Sequence, residues 1–181
     1  NTVSGVTGDG TVWPASVAPG NYGLSEDGPA GYIAGLWTCS KTAGNVTTFI
    51  TVTNSNVPLG LGDEITCAIT NTAQAGTVIW NKVASDAAAT PLAGSSWTLT
   101  GPGVPANTVV TDCTTGTCAT GAFMDTNANP GVFELAGLKW GDYELVEFAA
   151  PPGFGLDSTT IHPFTISGSA LDYVFASAIV N

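Results

Sequence analysis

Three residues of this 181-residue chain have the types and setting for one covalent reaction. Lys82 stands in Thr77-Val-Ile-Trp-Asn-Lys82-Val83, an apolar run of strand type. Glu147 closes Gly141-Asp-Tyr143-Glu-Leu145-Val-Glu147, ahead of a Pro151-Pro-Gly153 turn. Asn181 ends Tyr173-Val-Phe-Ala-Ser-Ala-Ile-Val-Asn181, which reads as one further strand. Alternate strand residues share a face, so Tyr143, Leu145 and Glu147 lie together on the core side. A carboxylate is almost never fully buried unless it is paired or protonated. A lysine, a glutamate and an asparagine on three core strands are the parts of an internal amide cross-link. Taken alone, Lys82 would read as a surface lysine on an edge strand, where the charge discourages aggregation. Glu144, on the opposite face of its strand, is expected in solvent.

The elements that must position these residues are strands. The chain has 23 Gly and 11 Pro, and no long stretch combines helical periodicity with a capping signal. Its Thr and Val richness fits short strands joined by turns, so the fold expected is all-β with almost no helix. Three lysines and no arginine stand against fourteen acids, a net charge of −11. That charge repels nucleic acid and anionic membranes, and no apolar run reaches membrane-span length. Neither a nucleic-acid partner nor membrane insertion is expected. Four cysteines form two local pairs, Cys39 with Cys67 and Cys113 with Cys118. An even count in such a chain indicates disulfides and an oxidising, extracellular location. Zinc is the weaker reading, because no Cys-x-x-Cys occurs and the lone His162 precedes a proline.

The sequence repeats itself. Gly20-Asn-Tyr22-x-Leu-x-Glu26 matches Gly141-Asp-Tyr143-x-Leu-x-Glu147 at an offset of 121, and Pro29-Ala-Gly-Tyr32 answers Pro151-Pro-Gly-Phe154. Ile65-Thr-Cys-Ala-Ile-Thr-Asn71 answers Phe175-Ala-Ser-Ala-Ile-Val-Asn181. Two related units follow. In the second, Lys82 precedes Glu147 by 65 residues, whereas no lysine precedes Glu26 and Lys41 falls after it. Residues 1–73 therefore read as the C-terminal half of a domain, opened by a Gly8-Asp-Gly10 turn. This half keeps Glu26 and Asn71 as counterparts of Glu147 and Asn181 and lacks the lysine strand. Thr72-Ala-Gln-Ala-Gly76 reads as a linker, and 77–181 as one complete β-sandwich unit. Within it, Val109–Cys118 reads as a disulfide-closed hairpin.

At this point the chain resembles a known family, the collagen-adhesin B-type (SpaA-like, prealbumin-like) domains of Gram-positive pilins and adhesins. The residues that carry the resemblance are Asn81-Lys82-Val83, Pro91-Leu-Ala-Gly94-Ser-Ser-Trp97, Val132-Phe-Glu-Leu-Ala-Gly-Leu138, Gly141 to Glu147, Ala150-Pro-Pro-Gly153-Phe154 and Ile179-Val-Asn181. They span essentially all of the second unit. Tyr22 to Glu26, Gly28 to Tyr32 and Thr66 to Asn71 carry it in the first. The resemblance implies an Ig-like, prealbumin-like β-sandwich in which Lys82 is the nucleophile, Asn181 the acceptor and Glu147 the acid/base of an isopeptide bond. Burial disfavours an ammonium and favours a neutral carboxyl, and a neutral carboxyl can polarise the amide carbonyl. Trp80, Trp97 and Phe175 are the expected apolar surroundings. Holding amine and amide together makes the step intramolecular. One bond forms per molecule and ammonia leaves, a maturation step and not enzyme turnover.

The implied function is structural: a stalk or shaft module of a bacterial cell-surface adhesin or pilus, whose partners are neighbouring domains or subunits of the same surface protein or filament. The alternatives are an adhesive module for a host or environmental ligand, and a filament subunit assembled by strand exchange through the incomplete first unit. No catalytic triad, nucleotide loop, cofactor or metal set argues for an enzyme. Asp125-x-Asn127-x-Asn129-x-Gly131 imitates a calcium loop, but its glycine sits one position late and no acid lies at position 12, so it reads as a turn.

Overall fold

A computed structural model describes residues 16–181. The Gly8–Gly10 turn lies outside the described residues. Two compact units are present. One ends at Gly28 and resumes over Ile33–Thr72; the other holds Pro29–Tyr32 and Ala73–Asn181. Every regular element among the described residues is a strand.

The first unit contains β1 (Gly20–Gly23), β2 (Tyr32–Ala34), β3 (Thr38–Ala43), β4 (Val46–Ile50), β5 (Asn56–Leu59), β6 (Glu64–Ala68) and β7 (Asn71–Ala73), with β2 and β7 running across its boundary. β1 pairs with β5, β2 with β7, and β4-β3-β6 form an antiparallel sheet. Asn54 and Ser55 both take the left-handed conformation in the turn into β5, which asparagine tolerates well. Cys39 and Cys67 lie opposite each other on β3 and β6 and are joined by a disulfide. Thr72 and Ala73, expected in a linker, belong to β7.

The second unit is built from β8 (Gly76–Val83), β9 (Ser96–Thr100), β10 (Val109–Thr111), β11 (Val132–Leu138), β12 (Gly141–Ala149), β13 (His162–Ile166), β14 (Asp172–Val174) and β15 (Ile179–Val180). One sheet runs β10-β9-β12-β13, the other β11-β8-β14. β14 and β15 both run parallel to β8, at successive positions along it. The two sheets close on one core of Val78, Trp80, Trp97, Leu99, Val110, Phe133, Leu135, Leu138, Tyr143, Leu145, Phe164, Ile166 and Ile179. Along β11 and β12 these residues alternate with partly buried or exposed ones, as a two-layer sandwich requires. Trp80 stacks on Phe133 at 4.6 Å and meets Trp97 edge-on at 6.2 Å. Gly101, at φ 150°, lies against the Tyr143 ring, where any Cβ would collide with it.

Two expectations need correction. The stretch from Tyr173 to Asn181 is two short strands and not one, because after the Phe175 N–H bond to Ile79 O residues 176–178 leave the ladder before β15 rejoins it. The Val109–Cys118 stretch is one strand, β10, followed by a loop. Cysteines only five positions apart leave no room for a paired second arm, so the Cys113–Cys118 disulfide closes the loop alone. Asp125 organises that region: its carboxylate accepts the backbone N–H groups of Cys113, Asn127 and Glu134 at 2.8–3.0 Å. Asp112 does the same for Gly94 and Gly131. Burial pushes the Asp112 carboxyl above its usual range, against the pull of those two N–H groups.

Candidate functional site

Lys82 lies on β8 and points into the sandwich, with its side chain 1% exposed. β8 is the hub of its sheet, flanked by β11, β14 and β15. Glu147 lies near the end of β12, also on the inner face and 1% exposed at its side chain. The β9–β12 register shifts between Glu147 and Ala149, a bulge of the kind that re-aims side chains beside functional sites.

Lys82 Nζ stands 3.0 Å from Glu147 Oε1. The approach is off the hydrogen-bonding direction, so Oε1 keeps an unfilled acceptor position. Nζ also donates to Val180 O at 3.4 Å and lies 5.4 Å from the centre of the Trp97 ring. Nζ is thus surrounded by a carboxylate, a carbonyl and a ring face. A buried pair of this kind lacking one partner would leave an uncompensated charge.

Asn181 follows β15 directly. Ile179 pairs with Lys82 in the parallel ladder, and Asn181 N donates to Val83 O at 3.0 Å. The carbonyl that precedes Asn181, Val180 O, is the one Nζ touches, and the Asn181 side chain itself makes no hydrogen bond to Lys82 or Glu147. The Asn181 amide donates through Nδ2 to Gly155 O at 2.8 Å, while its buried Oδ1 has no donor. Lys82 and Glu147 are thus in contact, with Asn181 on the adjoining strand end.

A cavity of about 380 Å³ opens onto this cluster. Lys82, Trp97, Glu147, Asp157, His162 and Phe175 contribute to its wall. Two contributors went unassigned in the sequence reading. Asp157 donates its backbone N–H to Glu147 Oε2 at 2.9 Å. His162 packs edge-on to Trp97 at 5.7 Å; burial, then the Lys82 cation, holds its imidazole below the usual range, against the opposing carboxylates of Asp157 and Glu147. The signal for Asp157 was present as Asp157-x-Thr159-Thr160, an Asx-turn pattern.

In the first unit, Asn71 Nδ2 donates to Glu26 Oε1 at 2.7 Å, and Glu26 Oε2 and Asn71 Oδ1 are buried without a donor. Lys41 ion-pairs with Asp63. The acid–amide pair is therefore made in the first half of the repeat, and the amine–acid pair in the second, where the Asn181 amide bonds Gly155 O instead.

Fold and site together define a β-sandwich protein with a lysine and a glutamate buried against each other in its core. The chain belongs to the SpaA family of prealbumin-like fold domains, whose family model matches residues 76–176, and a second prealbumin-like model, SpaA_2, matches residues 1–69. No curated protein matches the chain. Among solved structures it is similar to BcpA, the major pilin subunit of Bacillus cereus (18% identity, 87% of this chain and 41% of that one, TM-score 0.48). It is similar to the Bacillus anthracis TIE protein (17% identity, 87% and 27%, TM-score 0.49) and to the T6 backbone pilin of Streptococcus pyogenes serotype M6 (19% identity, 56% and 18%, TM-score 0.37). The chain spans less than half the length of each. The family assignment rests on the sequence match and not on these likenesses.

Proposed function

We propose that this chain is a shaft module of a bacterial cell-surface adhesin or pilus, stiffened by an isopeptide bond between Lys82 and Asn181 and by its two disulfides. The observation that carries the reading is the buried Lys82 Nζ, 3.0 Å from Glu147 and against the carbonyl that precedes Asn181. Proton transfer from the ammonium to Glu147 yields a neutral amine and a neutral carboxyl, the pair the reaction needs. Nζ attacks Asn181 Cγ while Glu147 donates a hydrogen bond to Oδ1. The Nζ–Cγ bond forms, the Cγ–Nδ2 bond breaks, and the displaced nitrogen leaves as ammonia with a proton returned through Glu147. The fold supplies proximity, and each molecule reacts once.

The bond would join β8 to the end of β15, so tension on the ends of the second unit would not peel its terminal strands apart. A link over roughly 100 residues also restricts the unfolded chain, by about 4–5 kcal/mol in the loop-entropy description. The test is the intact mass of the reduced protein beside Lys82→Ala and Glu147→Ala variants. The expected result is a deficit of one ammonia in the parent and in neither variant, with peptide mapping placing the bond between Lys82 and Asn181. A parent at full calculated mass sinks the cross-link.

A second reading is favoured by the first unit's surface. Leu36, Phe49 and Leu61 are 89%, 89% and 91% exposed, and β4 and β6 are the outer strands of their sheet among the described residues. Such edges accept a strand from another chain, which would make the module a filament subunit. Light scattering across a concentration series decides it: a monomer at high concentration with a folded first unit ends this reading.

A further inference from the structure

The segment between β12 and β13, residues 150–161, touches both carbonyl-bearing partners of the proposed reaction. Asp157 N–H donates to Glu147 Oε2 at 2.9 Å. Two residues earlier, Gly155 O accepts the Asn181 Nδ2–H at 2.8 Å. A carboxyl group turns easily about its last torsion, and so does a primary amide. Fixing one oxygen of Glu147 fixes where the other points, and Oε1 is the oxygen 3.0 Å from Lys82. Fixing Nδ2 of Asn181 sets the plane of the amide and the direction of Oδ1. Nδ2 is also the atom that departs as ammonia, so the Gly155 contact is made to the leaving group and ends with the reaction.

Burial does not hold this loop. Its large apolar residues Phe154, Leu156 and Ile161 are 41%, 53% and 53% exposed. Its order comes from the Asp157 carboxylate, whose Oδ1 accepts Thr159 N at 3.1 Å, Thr159 Oγ1 at 2.9 Å and Thr160 N at 3.1 Å, helped by the turn bond from Phe154 N to Pro151 O at 3.1 Å. The hydrogen bonds from Thr160 and Thr159 hold the Asp157 carboxyl far below the usual carboxylate range, so its acceptors persist into acid.

We infer that the loop is a template which orients Glu147 and Asn181 for bond formation, and that Asp157 is the positioning residue that keeps the template in shape. The inference rests on the isopeptide reading of the site. Asp157 makes no contact with the reacting atoms through its side chain; it acts through its own N–H and through Gly155. A loosened loop frees both groups to rotate, and small misplacements in such intramolecular reactions cost orders of magnitude in rate.

The experiment is a time course of ammonia loss, read by intact mass on protein made by cell-free synthesis and sampled from the first minutes. The parent is compared with Asp157→Ala, Asp157→Asn and Glu147→Ala, with near-ultraviolet circular dichroism of the Trp80–Trp97 core as the measure of folding. Asp157→Ala is expected to slow the bond by tenfold to a hundredfold while the core signal is unchanged. Asp157→Asn keeps an Oδ1 acceptor for Thr159 and Thr160, and is expected to return the rate to within a few-fold of the parent. Thr159→Val removes one of the three hydrogen bonds; it is expected to give a smaller slowing and serves as the measure if Asp157→Ala lowers the folded fraction. A parent-like rate in Asp157→Ala overturns the inference, as does equal slowing by Ala and Asn, or a parent-like rate in Thr159→Val where Asp157→Ala is not folded. A parent that never loses ammonia removes the isopeptide reading itself, and the template role with it.

Discussion

The two units of this chain share a repeat and a fold family but are held together differently. The second buries thirteen residues in one continuous core, with a lysine and a glutamate in contact inside it. In the first, the buried apolar residues among those described are Cys39 and Val57, and Cys39 is one end of a disulfide. Its edge strand β4 is exposed on four of its five residues. Hydrophobic burial scales with the apolar area removed from water, so the second unit has a larger driving force than the described residues of the first supply. What the first has instead is a covalent cross-strand tie. Small domains with thin cores commonly lean on such ties.

The comparison can be broken at several points. The largest effect is expected from Lys82→Ala. It strands Glu147 in the core and removes the proposed bond, costing the second unit about 3–5 kcal/mol before the cross-link is counted. Phe133→Ala is expected to cost a similar ~3–5 kcal/mol, since Phe133 is fully buried on the Trp80 face. Thermal unfolding of the second unit measures both, and a loss below about 1 kcal/mol in either would contradict the core described above. Next comes the paired replacement Cys39→Ser/Cys67→Ser. With the two cysteines 28 positions apart, the bond contributes about 3.5 kcal/mol on the loop-entropy description. The first unit should lose its amide protection from hydrogen exchange, while the second keeps its own. If both units melt together, they are not independent.

Smaller effects sharpen the contrast. Removing Cys113–Cys118, separated by five positions, should cost the second unit only about 2 kcal/mol. His162 should make the second unit mildly acid-sensitive. Its folded-state affinity for a proton is lowered, so the unfolded chain protonates first as the pH falls through the ordinary value of 6.5. Stability present above that pH declines below it, by a fraction of the ~1.4 kcal/mol per pH unit that one proton can contribute. His162→Gln should flatten this slope in melts between pH 5 and 8, and an unchanged slope would assign the acid sensitivity elsewhere. Smallest of all is Phe49→Ala in the first unit, expected within about 0.5 kcal/mol because the ring is already in water. A large loss there would mean that the β4 face is covered in solution, which would favour the filament reading.

Much of this was legible without coordinates. The alternation of Tyr143, Leu145 and Glu147 marked an inward acid, because period two leaves only two faces to choose between. The cysteine pairs were readable from count and spacing. The break between β14 and β15 was not. Residues Phe175 to Ala178 have strand-like composition, and only the position of β8 decides where the chain leaves and rejoins the ladder. Asp157 was missed for a related reason. Its side chain builds a local turn that sequence can suggest, but its N–H reaches Glu147 across a ten-residue loop closure that no periodicity encodes.

By itself, then, the amino-acid order determined an all-β chain, its repeat, its disulfide partners and which acid would face inward. These follow from short-range rules: strand alternation, turn chemistry and the scarcity of basic residues. Tertiary structure alone decided that Nζ of Lys82 comes to 3.0 Å from Glu147, that the end of β15 lies alongside, and that one loop grips both Glu147 and Asn181. Distances of that kind depend on how two sheets pack and where a bulge falls, and those are properties of the assembled core.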